Sequence, residues 1–99
     1  MAEVKLGGKV KCLSVNYGGK KAEIPLADYM PMTDARRMLK IRRMPAPERE
    51  GAYTEFFLSY FEKFIGEDDF SSLSMKDFEV LMDAWNEACE SEGSATPGE

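Results

Sequence analysis

"AYTEFFLSYFEKFIG", residues 52–66, carries six aromatic rings in the twelve positions from Tyr53 to Phe64. Tyr53, Phe56, Phe57, Tyr60, Phe61 and Phe64 fall at i, i+3, i+4, i+7, i+8 and i+11. That is the spacing of a single apolar stripe on an α-helix, and it predicts a helix over about 48–65. Gly66 closes it as a C′ residue. Most of these rings are expected to build a core. A helix facing one small core uses roughly four large rings, by the usual width of an apolar stripe. Tyr53, Tyr60 and Phe64 are expected toward the stripe's margins, where surplus aromatics favour an interface.

Before this helix stands a basic segment, "PMTDARRMLKIRRM". Thr33 is a plausible N-cap and Asp34 suits the positive end of a helix over about 33–42. Arg36, Lys40 and Arg43 share one face at i, i+4 and i+7, with Arg37 beside them. "PAPERE" ends this helix and starts the aromatic one.

Further upstream, Leu13, Val15 and Tyr17 alternate with polar residues, and so do Ala22, Ile24 and Leu26. Gly18-Gly19 lies between the two runs, so residues 10–26 read as a β-hairpin. Pro25 cannot donate to a ladder, which places the second strand at an edge or ends it there. Residues 1–9 look frayed or edge-like, with a break at Gly7-Gly8. Downstream, "EDDFSSLS" is expected to be a connector. Ser74 with Asp77 forms a capping-box-like start to a helix over 74–90. Its stripe is Phe78, Leu81, Met82, Trp85 and Ala88 or Cys89, and its outer face, with Lys76, Glu79, Asp83 and Glu87, is acidic. The tail 91–99 has nothing to bury and is expected to be disordered. The chain therefore reads as one small α+β domain over 1–90, a hairpin packed on three helices and mostly helical. A lone hairpin is marginal in water, so it must pack on the helices or extend its sheet with another chain.

Charge is split along the chain. Residues 1–43 hold ten Lys/Arg and four Asp/Glu, a net of +6. Residues 44–99 hold three Lys/Arg and fourteen Asp/Glu, a net of −11. Such asymmetry points to electrostatic partnering, within one molecule or between copies. The basic cluster Arg36, Arg37, Lys40, Arg42 and Arg43 would suit nucleic acid. The acidic balance of the whole chain and the lack of interleaved aromatics argue against that reading. Met30, Met32, Met38 and Met44 surround the basic helix, where their soft side chains suit either gap-filling or an adaptable contact.

The sequence has no histidine, which removes the commonest general base and neutral metal ligand. It has no Cys-x-x-Cys, no P-loop and no Gly-rich nucleotide fingerprint. Glu67-Asp68-Asp69 lacks the spacing of a calcium loop. No catalytic residue, cofactor or metal is expected, and the chain does not read as an enzyme. Cys12 and Cys89 are expected to be buried or inert thiols. No signal peptide or membrane span is evident, so a cytoplasmic location is expected.

The order of these elements resembles a known family. The hairpin "V-x-Y-G-G-K-x-A-E-I-P-L-A-D", the basic "RRMLKIRR", the aromatic helix and "LSMKDFEVLMDAWNEA" together look like the tail assembly chaperones of long-tailed bacteriophages, of the Gram-positive prophage type. The resemblance covers about residues 12–90. It implies a non-enzymatic role in virion morphogenesis. Such proteins bind the tape measure protein, keep it soluble and recruit tail tube subunits around it. They multimerise, are often also made in a longer frameshifted form, and are absent from the finished virion. The resemblance carries no binding residues over to this chain. The candidate interface residues, Arg36, Arg37, Lys40, Arg43, Tyr53, Tyr60, Phe64, Glu79, Asp83 and Glu87, rest on the surface argument alone. A small nucleic-acid-binding regulator or another protein adaptor are the alternatives.

Overall fold

Residues 2–92 are described by a computed structural model, which has an antiparallel hairpin followed by helices. Strand β1 is Cys12–Tyr17 and strand β2 is Lys20–Pro25. Tyr17 pairs with Lys20 across Gly18-Gly19, whose φ values are +51° and +79°. Two consecutive positive φ angles are what a tight hairpin turn of the right twist demands, and glycine supplies them without strain. Leu13 pairs with Ile24 and Val15 with Ala22, so the apolar residues of both strands share one face. After a single 3-10 turn at Ala27–Tyr29 the chain enters α1, Met32–Arg42. Helix α2 is Ala46–Ile65, α3 is Glu67–Ser71 and α4 is Met75–Ser91.

The expected α+β fold is present, with differences at the boundaries. Helix α1 begins after Pro31, not at a Thr33 cap. The Pro31 carbonyl accepts from the amides of Asp34 and Ala35 at 3.0 and 2.9 Å, so no side-chain cap is needed. Helix α2 starts at Ala46, with Pro47 in its first turn, where a missing N–H leaves no bond unmade. The expected connector after Gly66 contains a fourth, one-turn helix. Gly66 has φ +106° and redirects the chain between α2 and α3. The box at the start of α4 is present: Asp77 donates its amide to Ser74 Oγ at 3.1 Å, and its carboxylate accepts the Ser74 amide at 2.9 Å. The Ser74 amide and then the Ser74 hydroxyl, both donating to the Asp77 carboxylate, lower its pKa. Ser91 closes α4; the rest of the expected disordered tail, apart from Glu92, lies outside the described residues.

The core sits where β2, α2 and α4 meet. Ile24, Leu26, Phe56, Tyr60, Phe61, Trp85 and Cys89 are its most enclosed side chains. Tyr60 stacks on Phe56 at 5.7 Å, and Phe57 meets the Trp85 ring at 5.2 Å. One backbone atom ties the three elements together. In the antiparallel ladder, the Leu26 amide donates to the Lys11 carbonyl, so Pro25 stands at the next, non-hydrogen-bonded position. There a missing N–H breaks no ladder bond, while the carbonyl faces away from β1. The Pro25 carbonyl accepts from Tyr60 Oη at 2.9 Å and from Trp85 Nε1 at 3.0 Å, both buried bonds. Each polar tip of the ring cluster thereby finds a partner. Nearby, the Ala27 amide donates to Cys89 Sγ, and Tyr17 Oη donates to the Ile65 carbonyl.

Candidate protein-protein interfaces

Helix α1 buries Asp34, Met38 and Ile41 and turns its cations outward. Arg36, Lys40 and Arg43 are exposed and enter no ion pair among the described residues. Arg37 is exposed too but committed to its own chain. It donates to Ser59 Oγ at 3.1 Å, lies 3.9 Å from the Asp34 carboxylate and covers the Phe56 ring at 5.1 Å. The buried Asp34 carboxylate takes its short bond, 2.7 Å, from Lys63 of α2. The basic face is thus fixed to α2 by Arg37, with the other three cations exposed.

Helix α4 mirrors this arrangement with the opposite sign. Leu81, Trp85 and Cys89 are buried, while Glu79, Asp83 and Glu87 are exposed at i, i+4 and i+8. None of the three is in an ion pair among the described residues. The pairs that do join the two halves of the chain lie elsewhere: Lys11 with Glu92 at 2.6 Å and Lys20 with Asp69 at 3.0 Å. In each, the carboxylate raises the pKa of its lysine, first through the side-chain hydrogen bond and then through its charge.

Between α2 and α4 runs an open groove of about 380 Å³. Tyr53 and Phe57 form its α2 wall and Phe78 and Met82 its α4 wall, with Arg49 and Glu50 at the rim. Arg49 is held by two bonds to the Met44 carbonyl. The walls are i, i+4 pairs on facing helices. Each pair is visible in the sequence, but their meeting is set by tertiary packing. A second apolar groove lies on the far side of α4, against β1, with Val15, Leu81 and Ala84 in its lining. Met30, Met32 and Met38 line a third beside α1. Met32 is largely exposed, Met38 is buried, and Met44 is at the surface.

The aromatic margin needs one correction. Tyr60 is fully buried, at 0% exposure, and lies in the middle of the ring cluster. Its hydroxyl reaches the Pro25 carbonyl, and burial pushes its pKa well above the ordinary value. The reason is that α2 serves β2 and α4 together, so its buried stripe is wider than one facing surface requires. Phe64 is half-buried, edge-on to Tyr60 at 5.1 Å, with Lys63 Nζ 5.3 Å from its ring. Tyr53 is half-buried at the groove. Of the three, Tyr53 is the one whose ring lines an open surface.

Cys12 is half-buried and Cys89 buried; both are free thiols, and desolvation raises the pKa of each. Among the described residues no cluster of His, Cys, Asp or Glu could hold a metal ion, and Glu67-Asp68-Asp69 forms the first turn of α3. No helix among them is long and apolar enough to cross a membrane. No protein-family model matches the sequence, no curated protein matches it, and no solved structure matches the chain.

Proposed function

We propose that this chain is a non-enzymatic phage tail assembly chaperone. It oligomerises and binds the tape measure protein and tail tube subunits during virion morphogenesis, in the host cytoplasm and outside the finished particle. One observation carries the reading: a basic face on α1, Arg36, Lys40 and Arg43, and an acidic face on α4, Glu79, Asp83 and Glu87, both exposed and without an ion pair among the described residues. Opposite charges on different faces favour a head-to-tail contact between copies, which propagates into rings or helical filaments. That is the geometry a protein lining a long rod requires. The α2/α4 groove, with its polarizable Met82 thioether and its Tyr53 edge, suits the apolar side of a partner helix. The resemblance of hairpin, basic helix, aromatic helix and "LSMKDFEVLMDAW" supplies the identity of that partner.

The test is mass by light scattering after size exclusion, at low and high salt. Oligomers that grow with concentration and dissociate in high salt are expected, because surface pairs are screened. Charge reversal of Arg36, Lys40 and Arg43 together should abolish them. Adding the reciprocal reversal of Glu79, Asp83 and Glu87 should restore them. Co-purification of a tape measure protein, lost on Tyr53→Asp, completes the test. A monomer under all conditions that ignores tail proteins overturns the proposal. Salt-sensitive binding of duplex DNA lost on the same Arg36, Lys40 and Arg43 reversal would support a nucleic-acid regulator instead.

A further inference from the structure

The hairpin leaves β1 with a free edge, and the chain carries a segment that fits it. Residues 2–11 form no helix or strand and are exposed throughout. Within them Val4 is 79% and Leu6 90% exposed, alternating with Glu3 and Lys5. Alternation of this kind is the pattern of a strand with one face to bury. The segment has no such face in its own surroundings.

The edge of β1 offers one. Lys11 and Leu26 are a hydrogen-bonded pair, so Cys12, Ser14 and Asn16 direct their main-chain groups away from β2. Those groups meet no partner among the described residues. Below the same edge lies the apolar groove between β1 and α4, where Val80 is 58% exposed. A strand added here would bond through Glu3 and Lys5, which would stand beside Ser14 on the wet face. Val4 and Leu6 would then fall beside Leu13 and Val15, over Val80 and Ala84. The alternation of the segment and the register of the edge therefore agree. Charge agrees as well. Residues 2–11 carry three lysines and one glutamate, and α4 carries five carboxylates and one lysine.

A tight reversal at Gly7-Gly8 does not bring the segment to this site on its own strand. A reversal at Gly7-Gly8 sets Leu6 opposite Lys9 and Val4 opposite Lys11, short of Leu13–Tyr17. Lys11 is already tied to Glu92, beyond the far end of the groove.

We propose that residues 3–6 of a second copy of this chain add as a third strand along the free edge of β1, seating Val4 and Leu6 in the β1/α4 groove. Main-chain bonds supply the attachment and the alternate side chains its register. The exchange also covers an edge that would otherwise invite uncontrolled pairing. The attachment itself is main-chain and apolar, so it persists in salt that screens the charges of α1 and α4.

The test is a cysteine cross-link in the full chain. Leu6→Cys and Val80→Cys are introduced together with Cys12→Ser; positions 6 and 80 are exposed, so neither change disturbs the core. Mild oxidation in high salt, where contacts between charged faces are screened, should give disulfide-linked species at multiples of the 11.2 kDa chain mass. Mixing chains that carry one cysteine each should give the mixed dimer. The uncross-linked protein with Val4→Asp and Leu6→Asp should lose at least tenfold in self-association in the same salt. A cross-link that stays within one chain, or no cross-link with self-association unchanged by the aspartates, overturns the proposal.

Discussion

The carbonyl of Pro25 accepts two buried hydrogen bonds, from Tyr60 Oη and Trp85 Nε1. This makes a specific prediction about how the two donors combine. Tyr60→Phe keeps the ring and its stacking on Phe56, and removes only the hydroxyl. The carbonyl retains the indole bond, so the loss should be about 1 kcal/mol, the usual net worth of one hydrogen bond. Trp85→Phe removes the indole N–H and leaves a small void, for a loss of roughly 2–3 kcal/mol. In the double variant the carbonyl is buried with no donor. The second removal should therefore cost about 1 kcal/mol more than the first did, since an orphaned buried acceptor forfeits its solvation. Chemical denaturation followed by circular dichroism at 222 nm gives all four stabilities without relying on the tryptophan. A constant amount of stabilising osmolyte keeps the weakest variant folded at the start. Additive losses, within ~0.4 kcal/mol, would refute the idea that the two donors share one acceptor.

Other consequences follow from the same packing. Trp85→Ala should lower stability by roughly 3–5 kcal/mol, and a loss below ~1 kcal/mol on denaturation would mean that the ring is not enclosed as described. Lys63→Met should cost about 1–2 kcal/mol, discounted from a fully buried pair because the lysine is partly solvated, and Arg37 alone should not rescue Asp34. Gly19→Ala, at φ +79°, should cost about 1 kcal/mol in the same assay, whereas Gly51→Ala in the open middle of α2 should be neutral or stabilising. Stability should also fall in alkali. Tyr60 and Cys89 hold their protons more tightly when folded than their ordinary values of 10.0 and 9.0. Above those values the unfolded chain loses protons that the folded chain keeps, so stability falls as pH rises from about 9 and falls more steeply beyond about 10. Tyr60→Phe should flatten the upper part of that decline.

The features legible in the sequence are those fixed by neighbours in the chain. Gly18-Gly19 between two alternating runs specifies the hairpin, and Ser74 with Asp77 specifies the start of α4. The ring spacing specifies α2. The α+β order follows from these three alone. What escaped depends on distant residues. The position of Tyr60 is decided by a carbonyl 35 residues away, which no periodicity records. Pro31 displaced Thr33 as the helix boundary because a proline carbonyl in extended backbone already satisfies the first amides. Helix α3 is one turn long, too short to produce a period. For the candidate surfaces, the charged faces were visible as i, i+4 spacings on α1 and α4. The α2/α4 groove was hidden until Tyr53 and Phe57 were set opposite Phe78 and Met82.

The pattern of ion pairs bears on where the charge asymmetry acts. If the basic and acidic halves served only to neutralise each other within one chain, their most clustered charges would meet. Instead the internal contacts use scattered residues. Lys11 and Lys20 of the hairpin region meet Glu92 and Asp69, while Lys63 and Arg37 share Asp34. The clusters themselves, Arg36 with Lys40 and Arg43, and Glu79 with Asp83 and Glu87, stay in solvent. Three like charges along one helix face repel one another and weaken an isolated domain slightly. A second copy presenting the opposite face removes that repulsion on both sides at once. The sign of the effect can be measured in the monomer. Neutralising Arg36, Lys40 and Arg43 to glutamine should leave the stability of the dilute, monomeric chain unchanged or slightly higher, by up to ~0.5 kcal/mol. The same change should weaken self-association in low salt. A loss of monomer stability above ~1 kcal/mol would mean that the basic face is engaged within its own chain, and the head-to-tail contact would lose its basis.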